Sequence, residues 1–413
     1  MLIPTPRHAG RATPSARAAS RARIAVGLAT AAGILGGLLL PAAPPTKRPR
    51  ADEERGERVA IEAAGESGPR TLVGRIVVEA ADGSVLLELD DQRLELVEGE
   101  AIRSRDAAEG DGAADADDAR EQGRRIVAEL PAGFDFLLTK HYVVCFDTSR
   151  SYAQWCAALF EKLHDAFLNY WKKAGVEIEA PRRALVVVIF ADRQRYEAFA
   201  ARDLGAAADR VVGYYNLLTN RITTFDLTGS DALSRRPAGS ASRAGLEILS
   251  SPEAAGLVST LVHEASHQMA FNSGLHRRLA PVPLWVSEGV ATFFETPDPG
   301  GRGWRGIGGV NRPRLEKFLA GYRPGVLDSI VAGDEPFRDA DEGLDAYARA
   351  WALTAFLAQT RKAALADYLA LVAAKAPLGP DDPDQRRRDF VEAFGVEPRE
   401  LEEPLLKFLA RWK

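Results

Sequence analysis

The segment "LVHEASHQMA", residues 261–270, sets His263 and His267 four positions apart with Glu264 beside the first of them. On a helix, positions i and i+4 project from the same side one turn apart, so both imidazoles can reach one ion. A glutamate next to the first histidine stands where it can take a proton from an activated water without ligating the metal. The bland alternative is a pair of polar histidines on a half-buried helix. A catalytic zinc ion needs three protein ligands and one open position, so the motif requires a third donor.

Two routes to that donor can be compared. The longer metzincin pattern needs glycine at 270 and histidine at 273, where the chain has Ala270 and Ser273. His276 falls outside that spacing and reads as a loop histidine. The other route is a carboxylate from the next helix, and "PVPLWVSEGVATFFE" (residues 281–295) offers Glu288, which would complete a His2Glu set. Trp285, Val286, Val290, Phe293 and Phe294 would bury the rest of that helix, with Gly289 letting its backbone approach the motif helix. The motif helix itself should be capped by Ser250 or Ser251, with Pro252 and Glu253 in its first turn.

The elements that must position these groups come earlier. "FDFLLTKHYVVCFDT" reads as paired strands, "SYAQWCAALFEKLHDAFLNYWKKAG" as a long amphipathic helix and "RALVVVIF" as a buried strand. "DRQRYEAFAARD" opens as a helix capped by Asp192, and "VVGYYNLLTNRITTFDL" as two strands around a turn at Thr219 and Asn220. A Ser/Arg/Gly-rich loop over residues 229–243 follows, and beyond it the pattern is almost all helical. Strands first and helices after predict an α+β domain over residues 122–413, with the sheet built before the helix that carries the motif.

Upstream, residues 70–105 alternate short β-rich runs with turn signals at Asp82-Gly83 and Asp90-Asp91, the pattern of a small antiparallel β unit. The Pro-, Arg- and Glu-rich residues 44–69 read as a linker, and the acidic residues 106–121 as a disordered one. In residues 1–43, five arginines (Arg7, Arg11, Arg17, Arg21 and Arg23) precede the uncharged run "IAVGLATAAGILGGLLLPAA". That is an export signal or a membrane anchor through residues 24–43; Ala42 and Ala43 offer a cleavage site that Pro41, Pro44 and Pro45 weaken. The chain is expected in the cell envelope or outside the cell. A net charge of −5 over 413 residues, with basic side chains dispersed among acidic ones, excludes a nucleic-acid-wrapping protein. Only two cysteines are present, Cys145 and Cys156, either bonded to each other or buried as thiols, so a Cys-rich zinc site is excluded.

"HEASH" followed by "WVSEGVATFF" resembles the gluzincin clan of zinc metallopeptidases, and more closely an exported bacterial domain family of unassigned function within it. The resemblance continues through "VVGYYNLLTNRITTFD" and "AYARAWALTAFL". It implies a thermolysin-like domain with one catalytic zinc ion on His263, His267 and Glu288, and with Glu264 as general base in peptide-bond hydrolysis. Tyr347 matches the place of the residue that steadies the oxyanion, its alternative being an aromatic anchor at a helix start; Arg349 is a weaker choice, read as solvated. The strand pair over residues 211–226 would be the edge that holds an extended protein or peptide substrate, lined by Gly213, Tyr214 and Tyr215, or else an ordinary hairpin.

Two departures stand out. Thermolysin-type enzymes carry an aspartate four residues after the third ligand, where this chain has Thr292, so support for the ligands must come from elsewhere. Glu295 could orient a ligand or simply end its helix in solvent. The Gly-x-Met-Glu-Asn motif with which zinc aminopeptidases hold a free amino terminus is absent, which leaves endopeptidase as the expected activity. A catalytically silent binding or scaffolding module is the alternative. The order of segments also suggests a removable pro-segment, in which case a chain starting near Glu121 would be the more active form.

Overall fold

A computed structural model describes residues 57–65, 68–109, 116–229, 255–296 and 307–412 of the protein. The leader and the caps expected at residues 250–253 lie outside the described residues. Among those described, no helix is long and apolar enough to cross a membrane.

The structure is α+β. Its first sheet is antiparallel and five-stranded, built from β1 (Arg58–Gly65), β2 (Gly68–Glu79), β3 (Val85–Leu89), β4 (Leu94–Val97) and β5 (Ile102–Ala107) in the order β4-β3-β2-β1-β5. It has a small core of its own, in which Val59, Ile61 and Ala63 of β1 meet Val85, Leu87 and Val97. The β unit therefore begins inside the segment read as a linker. β1 alternates inward Val59, Ile61 and Ala63 with outward residues, and its charged flanks mask a period of two. Both ends of the acidic segment are ordered, and its residues 110–115 lie outside the described residues. β5 runs to Ala107, and helix α1 (Ala116–Glu129) starts within it. Gln122, Ile126 and Leu130 form a buried stripe four residues apart that anchors this region to the main domain.

The second sheet holds β6 (Asp135–Leu138), β7 (Tyr142–Phe146), β8 (Leu185–Phe190), β9 (Gly213–Asn216) and β10 (Arg221–Phe225) in the order β6-β7-β8-β10-β9. Strands β7, β8 and β10 run parallel, while β6 and β9 are antiparallel edges. The parallel crossover from β7 to β8 is helix α2 (Arg150–Lys173), capped by Ser149; α3 (Arg193–Leu204), capped by Asp192 as its sequence predicts, leads on from β8. β8, completely buried, is the continuous apolar run expected of a central parallel strand.

The rest is helical: α4 (Ala255–Asn272), α5 (Leu284–Phe294), α6 (Arg312–Gly321), α7 (Val326–Ala332), α8 (Glu335–Arg338), α9 (Gly343–Thr360), α10 (Lys362–Ala373), α11 (Pro383–Phe394) and α12 (Glu402–Leu409). Helix α4 lies against β9 and β10, and α5 packs on both α4 and α9. Gly289 serves the second of these contacts rather than the first. A Cβ there would collide with Thr354 Oγ1 and sit 3.1 Å from the Ala350 carbonyl, both on α9. Cys145 and Cys156 are free, buried thiols; burial pushes Cys145 up to about 12 and Cys156 higher still.

Candidate metal centre

Helix α4 is apolar on most sides, and its larger polar residues fall into two stripes. His263 and His267 form one. Glu264, Gln268 and Asn272, at the same spacing of four, form the other and face the sheet. The Glu264 carboxylate accepts from the Tyr215 amide at 2.8 Å, on the edge strand β9. Gln268 donates to the carbonyls of Val186 and Asn220, both at 3.0 Å, and Asn272 exchanges amide hydrogen bonds with Asn220. This seam fixes the rotation of α4 and turns the histidine stripe towards α5. Its spacing is visible in "EASHQMAFN", but nothing local says which face meets the sheet.

Across the gap, α5 presents Glu288. The Nε2 atoms of His263 and His267 are 3.1 Å apart, and Glu288 Oε2 lies 3.2 Å from the first and 3.5 Å from the second. Donors placed about 2.0–2.1 Å from a tetrahedral ion are separated from one another by about 3.3 Å. The Glu288 oxygens are buried and, among the described residues, meet no donor besides these imidazoles. The rings stand nearly perpendicular, at 81°, which lets the in-plane lone pairs converge. The buried set His263, His267 and Glu288 can hold a metal ion. His276 is buried beside Phe271, with Nδ1 on the Leu275 carbonyl, and burial lowers it to about 3; it takes no part in the set.

A second group, His141, His164 and Asp165, also brings ligand atoms within 4.8 Å of one another. Its geometry differs. The two imidazoles stack with centroids 3.7 Å apart and planes 17° apart, so their lone pairs run side by side. His141 Nδ1 is already taken by Glu161 at 2.7 Å, and His164 Nδ1 by Asp165 at 3.1 Å.

The support that Thr292 does not give comes from Glu295. The Thr292 hydroxyl turns back to the Glu288 and Gly289 carbonyls of its own helix. Glu295, at the end of α5, is not a solvated helix end. It is 5% exposed and accepts from His263 Nδ1 at 2.9 Å, from Asn311, and from Arg314 through two nitrogens. That carboxylate fixes the His263 tautomer that leaves Nε2 facing Glu288. His267 Nδ1 has no such partner among the described residues. The asymmetry predicts that Glu295→Gln weakens metal binding by roughly 10- to 100-fold while the protein stays folded. A zinc titration against a competing chromophoric chelator checks this, and an unchanged affinity would leave Glu295 with a structural role only.

The charges follow from this wiring. Burial opposes charge on His263, but hydrogen bonds and charges from Glu288 and Glu295 outweigh it and raise the metal-free imidazole to about 10. Burial likewise opposes charge on Glu288 and Glu295; His267 and His263 hold the first down to about 2, and Arg314 and His263 hold the second there. Glu264, by contrast, is raised, because burial outweighs the pull of the two histidines. A carboxylate with raised proton affinity suits a base that must later give its proton back.

Tyr347, on α9, is buried between the Phe337 ring and the Arg314 guanidinium, which lies 5.5 Å from its ring centre. Burial, with Glu288 and Glu264 adding to it, raises the phenol well above its usual value, so it stays a hydrogen donor. Arg349 is not solvated: it is 3% exposed, with Nη1 3.7 Å from Glu342. At the strand pair, β9 is indeed the sheet edge, but Tyr214 and Tyr215 are buried, with their hydroxyls on Asp203 and Asn220. Beside Gly213, only main chain is left to meet an extended ligand. Glu295 orients a ligand, the first of the two readings its sequence allows, whereas Arg314, Asn311, Gln268 and Asn272 are the site residues that motif reading misses.

Residues 257–379 match a family model described as "Protein of unknown function (DUF1570)". The match takes in His263, Glu264, His267, Glu288, Glu295, Arg314 and Tyr347, and stops short of β9, β10 and the first sheet. A comparison with curated proteins gives no match. The three candidate metal ligands thus lie within the matched segment, and the description of that family model gives no activity.

Proposed function

We propose that the protein is an exported zinc-dependent peptidase with a thermolysin-like catalytic domain, cutting within chains. The observation that carries this reading is the buried triangle of two imidazole nitrogens and one carboxylate oxygen, 3.1–3.5 Å on a side, with a fourth polar group, Glu264, next to it. Zinc held by His263, His267 and Glu288 would supply Lewis acidity, lowering the pKa of water from about 15.7 to about 7.

The remaining chemistry belongs to the chain. Glu264, kept in place by the Tyr215 amide, accepts the proton of the attacking water and delivers it to the leaving amine. Tyr347, un-ionised throughout, donates a hydrogen bond to the oxygen that gains charge as the carbonyl is attacked. The outer edge of β9 offers main-chain groups to an extended peptide, which would place the scissile bond beside Glu264. A pure binding module would need neither a proton acceptor nor a donor placed in this way.

The test is cleavage of an unbiased peptide library by the full chain. Zinc-loaded protein should cut, should stop when a chelator removes the metal, and should recover when zinc is restored. Cutting that survives complete metal removal, or no cutting by folded, zinc-loaded protein, would overturn the peptidase reading; the second result would favour a binding module.

A further inference from the structure

The first sheet meets the second at one well-defined place, the tip of the β3–β4 turn. Gln92 there has φ +69°, a left-handed conformation that glycine or asparagine adopts more easily. Gln92 is held from outside its own sheet at two points, by the β9–β10 turn and by the loop that follows helix α4. Its carbonyl accepts from Arg278 at 2.7 Å, and its side-chain Oε1 accepts from Asn220 Nδ2 at 2.9 Å. Arg278 also pairs with Glu88 at 2.7 Å, and the Leu94 amide donates to the Leu218 carbonyl at 2.7 Å. The turn therefore grips the β9–β10 hairpin from outside.

Asn220 is the node that passes this grip inward. It too has a positive φ, +57°. Its side chain donates to Gln92 and Asn272 and accepts from Asn272 and the Tyr215 hydroxyl, all at 2.7–2.9 Å, so its amide is fully satisfied. Tyr215 carries the amide that holds Glu264. Hydrogen bonds, joined through the Tyr215 side chain to its own amide, thus connect the first sheet to the carboxylate beside the metal centre.

We propose that the first sheet is a built-in positioning module for Glu264, acting from Gln92 through Asn220 and the β9 edge strand. In its catalytic half the proposal rests on Glu264 being the base; in its structural half it does not. It gives the opposite sign from a removable pro-segment, since losing the contact would lower turnover rather than raise it.

Three forms of the full chain test it: wild type, Gln92→Gly and Gln92→Glu. Glycine relieves the left-handed backbone while removing the side-chain acceptor, so the turn itself should remain intact. Glutamate keeps an acceptor oxygen for Asn220. Hydrogen-exchange mass spectrometry should show exchange in residues 213–216 about ten-fold faster in Gln92→Gly, unchanged in β7 and β8, and near wild type in Gln92→Glu. Against library-derived substrates, kcat should fall roughly ten-fold in Gln92→Gly with KM little changed, and recover in Gln92→Glu. Unchanged exchange in β9, exchange that rises uniformly across the protein, or loosened β9 with full turnover would each overturn the proposal. If the wild type cleaves nothing, the base reading fails separately, and the exchange pattern alone decides whether Gln92 positions Glu264.

Discussion

Replacing Glu264 with glutamine is expected to lower cleavage by roughly 10²- to 10⁴-fold while leaving the metal in place. Among the described residues the carboxylate forms no hydrogen bond with the three ligands; it accepts from the Tyr215 amide. Glutamine is nearly isosteric, and its carbonyl oxygen can still accept from that amide, so β9 and α4 should keep their relation. What is lost is the ability to take up a proton. Burial raises the proton affinity of Glu264 and the nearby imidazoles restrain it, a balance that only an ionisable group can use. Loss of zinc along with activity would mean instead that the residue supports the site. Parallel assays of turnover and metal content on the same preparation separate the two outcomes.

The second large effect concerns protons and metal competing for one place. Without metal, His263 is held charged up to about pH 10 by Glu288 and Glu295. Its folded value lies above its ordinary one near 6.5, so the proton's contribution to metal-free stability is complete below about pH 6.5 and fades as pH rises towards 10. The two glutamates, held near 2, contribute above about pH 4.5 and lose their contribution as pH falls towards 2. This cluster therefore stabilises the metal-free protein best between about pH 4.5 and 6.5.

Zinc must displace the His263 proton, so binding should release close to one proton at pH 8. Apparent affinity should rise by up to about ten-fold per pH unit between pH 6.5 and 9. The gain in melting temperature on adding zinc should widen over the same range. Glu288→Ala removes both a ligand and the main charge on His263. It should cost at least about 10³-fold in affinity, more than the loss of an outer partner does, and flatten the pH dependence. Calorimetry in buffers of different ionisation enthalpy measures the released proton directly. Zinc affinity independent of pH would mean that the site holds no such proton.

How far this arrangement could be read in advance depended on whether its causes were local. The spacing of His263 and His267 is a property of one helix, and the apolar frame around Glu288 is a property of the next, so both could be placed without knowing the fold. The same holds for the Asp192 cap and for the order of strands before helices. Glu295 was harder, because its burial depends on Arg314 and Asn311 from another helix. A charged residue at a helix end reads as solvated until its partner is found. β1 is hard to read because Val59, Ile61 and Ala63 are modest residues within a charged stretch, and their burial comes from pairing with β2 and β5. Gly289 faces α9 rather than the motif helix, and α9 lies more than fifty residues further along the chain, beyond the reach of a local pattern. The contact of Gln92 with Asn220 joins two turns 128 positions apart, and no periodicity reports it.

The most direct measurement is the zinc content of the purified full chain beside His263→Ala and His267→Ala, by inductively coupled plasma mass spectrometry after dialysis against metal-free buffer. Folding of each variant would be verified by circular dichroism. About one zinc per chain in the wild type and less than about a tenth of that in either folded variant is the expected result. Stoichiometric zinc retained by both variants, or none taken up by folded wild type, would contradict a metal centre at His263, His267 and Glu288.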